Sequence, residues 1–234
     1  MSAASDVVPL AVDAGPNPWF SPSWVVDNWS LIVPLLAQHV RLTLVSVLIG
    51  ALVAFPLALV ARRSRFLAGP VLATSTLVYT IPSLAMFAFI SPFTGLSETT
   101  VATGLILYSL VILVRNFLAG LQAVPADARE AARGMGYGSA RLLWQVELPL
   151  ALPSIMTGLR IATVSTVALV TVGVIVGQGG LGQIIIVNGF GANYYRPPIV
   201  FGTLACVFLA LVADQLLSFV ERLLTPWART RVST

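Results

Sequence analysis

Long runs of apolar residues, separated by short polar segments, dominate this chain. A helix that crosses a membrane needs about 20 mostly apolar residues, and five windows of the sequence meet this requirement. Each window contains Pro, Gly, Ser or Thr, which membrane helices tolerate when neighbouring groups satisfy the backbone. The pattern predicts an all-α integral membrane protein with five transmembrane helices. The windows cover residues 40–61, 66–91, 99–121, 150–176 and 199–222.

The composition of the chain also favours a membrane location. Of the 234 residues, 57% are hydrophobic and 9% are charged, whereas soluble domains carry roughly 25% charged residues. All 13 basic residues are arginine, so the chain has no lysine to bind a nucleotide phosphate. Its single cysteine, Cys206, excludes an internal disulfide and a thiolate metal site. We expect no catalytic residue, metal or cofactor in this chain, and therefore no enzyme activity of its own.

The arginines between the windows predict the orientation of the chain. Nine of them lie in segments on one side of the membrane and two lie on the other. Because cytoplasmic segments carry the excess of positive charge, we expect the N-terminus outside and the C-terminus in the cytoplasm. The nine are Arg62, Arg63, Arg65, Arg129, Arg133, Arg141, Arg222, Arg229 and Arg231, and the two are Arg41 and Arg196.

The windows divide the chain into three regions. Residues 1–30 form an extracytoplasmic lead-in with three tryptophans, which is typical of an interfacial anchor. Residues 31–226 form the transmembrane domain, and residues 227–234 form a cytoplasmic tail. The single histidine, His39, lies near the start of the first window. We therefore expect it to be an interfacial residue.

Residues 122–149 form a polar segment between the third and fourth windows. Pro125 predicts the start of a helix that continues through Arg133, and the glycines that follow predict its end. Ser139 then predicts a second helix, which Pro149 would stop. Three arginines balance three acidic residues here, so the segment is not a polybasic lipid tether. A short helix pair of this kind is suited to docking into a groove on a partner; the alternative is an ordinary loop.

The same segment resembles the EAA motif of permeases from bacterial ABC importers. The usual form of the motif is EAA-x3-G-x9-I-x-L-P, and this chain departs from it only by Val146 in place of isoleucine. The resemblance implies a cytoplasmic coupling helix that binds a cleft on a separate ATPase subunit. It assigns this coupling to Glu130, Ala131, Ala132, Arg133, Gly136, Leu148 and Pro149.

Further stretches resemble the osmoprotectant branch of this family, namely Thr80–Ala85 (TIPSLA), Leu113–Asn116 (LVRN), the AARGMG run from Ala131 and Gly177–Gly182 (GQGGLG). The resemblance implies one permease subunit of a type I, binding-protein-dependent importer for glycine betaine, carnitine, choline or related quaternary amines. It would lie in the lipid of a bacterial plasma membrane.

The implied partners are ATPase subunits that hold ATP and Mg²⁺, a substrate-binding protein and a second permease subunit, identical or paralogous, with no nucleic acid. Two alternatives remain open. The first is a permease for methionine or another amino acid. The second is a secondary transporter, for which only Asp214 offers a carboxylate for a coupling ion.

Three charged residues, Arg115, Arg160 and Asp214, lie well inside the predicted spans, away from their ends. Such a residue costs about 2.5–3.5 kcal/mol at a helix centre. By residue count at about 1.5 Å per residue, all three lie roughly 10–12 Å into the membrane from the same side. We expect an ion-paired layer around Asp214. The alternative is that each arginine extends independently to the headgroups.

Three aromatic residues and one serine are the candidates for the translocation path. A quaternary ammonium is attracted to aromatic faces, and the apolar spans offer few polar groups beside them. The candidates are Tyr79, Ser83, Phe87 and Tyr108. The alternative is that these aromatic side chains pack internally or face lipid.

Overall fold

In the computed structural model, the described residues, 16–63 and 65–227, form helices joined by short turns, without a strand among them. Fifteen residues of the predicted lead-in and the tail from residue 228, with Arg229 and Arg231, lie outside the described residues. The predicted all-α class is confirmed. The helices are α1 Pro22–Asp27, α2 Trp29–Ala61, α3 Arg65–Thr80, α4 Ser83–Thr94, α5 Glu98–Gln122, α6 Ala126–Gly134, α7 Ser139–Leu142, α8 Leu148–Val170, α9 Leu181–Ile185 and α10 Arg196–Leu224.

Within the part of the chain that the structure describes, four helical stretches are long and apolar enough to cross a membrane. They are α2, α5, the composite helix Ser139–Val176 and α10. The pair Phe66–Thr80 and Ser83–Thr94 qualifies as a fifth span when the two helices are counted together. Each predicted window therefore corresponds to one of these stretches, and the predicted membrane fold is confirmed. One of the five spans is broken into two helices.

The broken span bends by 96° between α3 and α4, within the predicted window 66–91. Pro82 has no backbone N–H and disfavours helical geometry at the preceding residue, Ile81. The bend frees the carbonyl of Ile81, and the hydroxyl of Tyr108 on α5 donates a hydrogen bond to it. A side chain of a neighbouring helix thus satisfies a backbone carbonyl at the bend, as an apolar surrounding requires.

Helix α2 begins at Trp29 and is 33 residues long, so the predicted start near residue 40 is wrong. At about 1.5 Å per residue it measures roughly 50 Å, compared with a hydrocarbon core of about 30 Å. Its first part contains Pro34, Gln38 and His39, which lower the local hydropathy. Hydropathy alone therefore missed a part of the helix whose polar groups bond within the protein.

Pro149 does not stop the second helix of the polar segment, contrary to the prediction. Helix α7 continues through a π-helical turn, Leu143–Glu147, directly into α8. Proline is tolerated in the first turn of a helix, where its missing N–H is not needed. The π turn is wider than an α-helical turn and joins α7 to α8. Leu148, the residue that follows it, donates its N–H to the carbonyl of Leu143 five residues earlier. Pro149 consequently stands at the start of α8.

The core is built on α5, which packs against both α2 and α8, and these two helices also contact each other. Within apolar surroundings the helices associate mainly through close van der Waals packing, so small residues at the contact matter. The largest buried cluster follows this rule, with alanines of α2 and α8 against larger side chains of α5. Its members are Ala54, Ala58, Ala61, Leu113, Val114, Phe117, Leu118, Leu121, Val124, Ala151, Ile155 and Ala162.

The turn Gly177–Gly182 is held to α2 by hydrogen bonds. Gly180 donates its N–H to Gln38 Oε1 at 3.1 Å, and Leu181 donates its N–H to His39 Nδ1 at 3.2 Å. Because Nδ1 of His39 accepts, the ring proton is assigned to Nε2, which lies 3.0 Å from the carbonyl of Val167. His39 is fully buried, so its predicted interfacial position is wrong. It is a neutral internal anchor.

We predict that Gly180→Ala destabilises the protein by about 1–3 kcal/mol, because the added methyl group meets both a strained backbone and a crowded site. Gly180 has a φ of +52°, and its Cβ would lie 2.7 Å from His39 Cβ and 2.9 Å from His39 Cα. The measurement is the thermal midpoint of the purified protein in detergent.

The matched control is Gly69→Ala, where an added Cβ within α3 meets nothing within 4 Å. We expect its thermal midpoint to equal or slightly exceed that of the parent. Equal midpoints for the parent and the Gly180 variant would show that the anchor of the turn does not contribute to stability.

Candidate coupling segment and intramembrane charges

The polar segment folds into helix α6, a turn at Gly136 and helix α7. Pro125 occupies the cap position before α6, as the sequence predicts. At the other end, Gly136 donates its N–H to the carbonyl of Arg133 at 2.9 Å, and Tyr137 donates to Ala132 at 3.1 Å. These two bonds form a Schellman motif. Gly136 adopts a φ of +82°, which explains the glycine of the EAA pattern as the residue that ends the helix.

The two sides of α6 differ in exposure. Glu130, Ala131 and Arg133 are exposed, whereas Ala132 is only 2% exposed. The motif thus presents charged and small groups outward while one methyl group packs inward. The remaining predicted coupling residues, Leu148 and Pro149, are half-buried at the start of α8 and do not share the exposed side of α6.

Two of the three charged residues predicted to form a layer come together. Arg160 of α8 donates to both carboxylate oxygens of Asp214 of α10, at 2.8 and 3.0 Å. Glu221 is a further partner, at 3.3 Å from Arg160 Nη1. Glu221 was not predicted, although it lies seven residues after Asp214, the spacing that places two residues on the same side of a helix.

Arg115 is placed elsewhere, so the three-residue layer is corrected. Its Nη2 donates to Thr76 Oγ1 of α3 at 2.6 Å. The physical reason is the arrangement of the helices. Arg115 is on α5 and Asp214 is on α10, and α8 packs against both of these helices. Similar depth in the membrane did not bring these two residues together.

The ion pair forms part of the wall of a groove between α8 and α10. The groove has a volume of about 610 Å³, and most of its other lining groups are apolar. The side chains of Arg160 and Asp214 are 31% and 26% exposed there. The pair therefore ties the two helices together at the edge of the groove and is not enclosed in the core.

The four candidate path residues occupy different environments. Phe87 is fully buried and packs against Leu105 and Val170, so it belongs to the core and the structure does not place it on an accessible path. Tyr108 is 4% exposed, whereas Tyr79 is 51% exposed. The rings of Tyr79 and Tyr108 meet edge to face, with centroids 5.9 Å apart. Ser83 is half-buried at the first residue of α4.

These features define a multi-pass membrane protein with a polar helical segment before its penultimate span. The family profile described as "Binding-protein-dependent transport system inner membrane component" matches residues 46–226. The chain belongs to this family. The resemblance to importer permeases, which the EAA pattern predicts, is confirmed.

Curated relatives cover most of the chain. The glycine betaine/carnitine/choline transport system permease protein OpuCD of Bacillus subtilis (strain 168) is 36% identical over 200 residues, which cover 86% of this chain and 87% of the relative. The osmoprotectant import permease protein OsmW of Salmonella typhimurium (strain LT2) is 35% identical over 208 residues, with 87% and 96% covered. The predicted likeness to the osmoprotectant branch is confirmed by these names.

Solved structures show the same fold. The chain superimposes on a chain of the inward-facing MetNI methionine ABC transporter with a TM-score of 0.75. The match covers 85% of this chain and 98% of the other, at 21% identity. At this identity the likeness concerns the fold alone, and it supports the helix order described above.

We predict that Asp214→Asn destabilises the protein by about 1.5–3 kcal/mol, because it removes the charge-assisted bonds that Arg160 donates to its principal partner, while Glu221 remains beside the guanidinium. Arg160→Gln combined with Asp214→Asn should recover part of the loss. The measurement is a double-mutant cycle on thermal stability in detergent.

The matched control pairs Arg115→Gln with Asp214→Asn. Since Arg115 bonds to Thr76, its effect should simply add to that of Asp214→Asn. Coupling of Asp214 to Arg115, or additivity with Arg160, would contradict the pairing described here.

Proposed function

We propose that this chain is one of two permease subunits of an ATP-driven importer whose cargo is an osmoprotectant of the quaternary amine class. Glycine betaine, carnitine and choline are the candidates, because the names of the relatives specify them. Family membership supports a transport subunit that depends on a binding protein and does not itself hydrolyse ATP. ATP hydrolysis then belongs to a separate ATPase subunit with its Mg²⁺.

The observation that carries the coupling role is the exposed side of α6. Glu130, Ala131 and Arg133 occupy the motif positions of the EAA pattern and are exposed. A nine-residue helix is marginal by itself, so α6 needs its contacts with the rest of the chain to present this side in one orientation. We infer that α6 docks into a cleft on the ATPase subunit.

The proposed orientation puts α6 and the C-terminus in the cytoplasm and the N-terminus outside, as the excess of arginine on one side indicates. Helix α8 leads from the polar segment to the turn Gly177–Gly182. The ATPase would thus act at one end of α8, and the substrate-binding protein would approach the face that carries the glycine turn. A second permease subunit, identical or paralogous, would complete the path.

For the cargo, Tyr79 is the residue we retain from the predicted path; the ring of Tyr108 packs edge to face against it but is itself buried. The exposed ring of Tyr79 stands at the end of α3, one residue before Thr80 and the bend at Pro82. An aromatic face attracts a quaternary ammonium through the ring quadrupole, by about 0.5–2 kcal/mol according to desolvation. Phe87 is not retained because it is buried.

We predict that deletion of this subunit abolishes uptake of radiolabelled glycine betaine, carnitine or choline under salt stress, because the cargo has no other path through the complex. The measurement uses the native bacterium with its redundant osmoprotectant importers removed. Reintroduction of the parental gene is the control. Unchanged uptake of these amines together with lost methionine uptake would assign the cargo to the amino-acid alternative.

We predict that Gly136→Val lowers recovery of the ATPase with the permease by about tenfold, since valine at a φ of +82° forces α6 to end differently, at a strain of about 1–3 kcal/mol. Glu130→Lys should also lower recovery, because it reverses a charge on the docking side. The measurement is co-purification followed by transport in proteoliposomes.

Gly138→Val is the matched control for this turn. An added Cβ meets nothing within 4 Å at either glycine, but Gly138 has a φ of −69°, which valine adopts without strain. We expect it to assemble and transport like the parent. Parental behaviour of both the Gly136 and Glu130 variants would make residues 122–149 an ordinary loop.

A further inference from the structure

A buried carboxylate lies beneath the polar segment, outside the residues assigned to coupling. Glu147 is the last residue of the π-helical turn Leu143–Glu147, and its side chain is 6% exposed. Its Oε2 accepts from Arg62 Nη1 at 2.6 Å, and its Oε1 lies 3.2 Å from Arg129 Nε. The second contact has an ion-pair distance without the alignment of a hydrogen bond. One carboxylate thus faces two guanidinium groups.

The two arginines come from different helices. Arg62 follows the last residue of α2, and Arg129 lies in the middle of α6. Arg129 also donates its Nη2 to the carbonyl of Leu121 at 2.6 Å, near the end of α5, where helix carbonyls lack partners of their own. Glu147 and Arg129 together connect α6 to α2, α5 and the helix that becomes α8.

Glu147 is the centre of this cluster because its one negative charge is shared by two positively charged arginines. If either arginine is lost, the other remains paired with the carboxylate. If Glu147 loses its charge, two partly buried guanidinium groups of like charge remain, each 25–28% exposed at the side chain. Such groups repel each other, and among the described residues neither has another carboxylate as an ion-pair partner.

The π turn accounts for the direction of the Glu147 side chain. An extra residue in a helical turn rotates the following positions by roughly 100° relative to an uninterrupted α-helix. Trp144 and Gln145, earlier in the same turn, are exposed, whereas Glu147 is buried. The irregular turn therefore turns this carboxylate inward, and π turns are frequent at functional sites.

We propose that Glu147 is a positioning residue that holds α6 rigidly to the membrane helices, so that a displacement of α6 moves α2, α5 and α8 with it. The proposal rests on the proposed function, in which α6 docks on the ATPase. The inward contact of α6 through Ala132 is a single methyl group, so the ion pairs are the directional link. The docking side itself, with Glu130, is separate from this link.

The test is Glu147→Gln in the complete complex reconstituted into proteoliposomes with the ATPase, the binding protein and glycine betaine. Glutamine keeps the shape and removes the charge. We expect normal recovery of the ATPase and continued ATP hydrolysis, with the ATP consumed per cargo molecule raised about tenfold, the ratio that corresponds to loss of one charge-assisted hydrogen bond. Glu147→Asp should restore part of the coupling because the charge is kept.

The matched control is Glu98→Gln. Glu98 is also paired with an arginine, Arg41, but it begins α5 and lies at the end of that helix remote from α6. We expect its ratio of ATP to cargo to equal that of the parent. A similar rise in both variants would show a general effect of removing an ion pair and would overturn the proposal.

A second readout needs no cargo. Amide hydrogen exchange over residues 126–134 in the assembled complex should become about tenfold faster in Glu147→Gln, since local opening of α6 then costs one ion-pair contact less. Exchange there should be unchanged in Glu98→Gln. Parental exchange together with parental coupling in Glu147→Gln would overturn the proposal while leaving the docking role of α6 intact.

If Glu147→Gln does not fold, Arg129→Gln tests the contact between α6 and Glu147 by itself. This variant keeps the Arg62–Glu147 pair, and we expect the same faster exchange over α6 and the same rise in ATP per cargo molecule. Full coupling in Arg129→Gln would overturn the proposal. Loss of ATPase recovery in Glu130→Lys but not in Arg129→Gln would separate docking from transmission. Parental recovery in Glu130→Lys would instead count against the proposed function.

Discussion

Lipid tails offer no hydrogen-bond partners, so each polar group inside the membrane must be satisfied by the protein. The interruptions of the helices in this chain each follow this constraint. At the Pro82 bend the hydroxyl of Tyr108 bonds to the freed carbonyl of Ile81. At the glycine turn, Gln38 and His39 accept from backbone N–H groups. Breaks in this fold therefore occur where another helix supplies the missing partner.

Charged side chains obey the same constraint and also hold helices together. Association in apolar surroundings gains little from the hydrophobic effect, so packing and polar contacts between helices count for more. Arg160 joins α8 to α10 through Asp214 and Glu221. Glu147, near the beginning of the same helical stretch, joins it to α2 and α6. Each cluster links elements that are distant in sequence, and both involve the helix that runs from Ser139 to Val176.

The sequence predicted those features that depend on local chemistry. Apolar run length identified the spans, and Pro125 with Gly136 marked the ends of α6 because a proline cap and a positive φ are properties of single residues. Features that depend on how the helices pack against one another could not be predicted from the sequence. Depth in the membrane could not place Arg115 against Thr76 instead of Asp214, and polarity could not show that His39 is internal. The positions of Arg115 and His39 both depend on which helix packs beside them.

The two ends of the stretch Ser139–Val176 are built differently, and this difference fits the proposed mechanism. A π turn with a charged cluster precedes α8, and a 3₁₀ segment, Thr171–Val176, follows it before the hydrogen-bonded glycine turn. Charge-assisted contacts are stronger than neutral ones. Glu147 has two charged partners at the end near α6, whereas the bonds that Gly180 and Leu181 of the glycine turn donate to α2 are neutral. Irregular helical turns can change their winding at lower cost than a regular α-helix. A push on α6 would therefore pass through the ion pairs into α8 and be released at the end where neutral hydrogen bonds rearrange first.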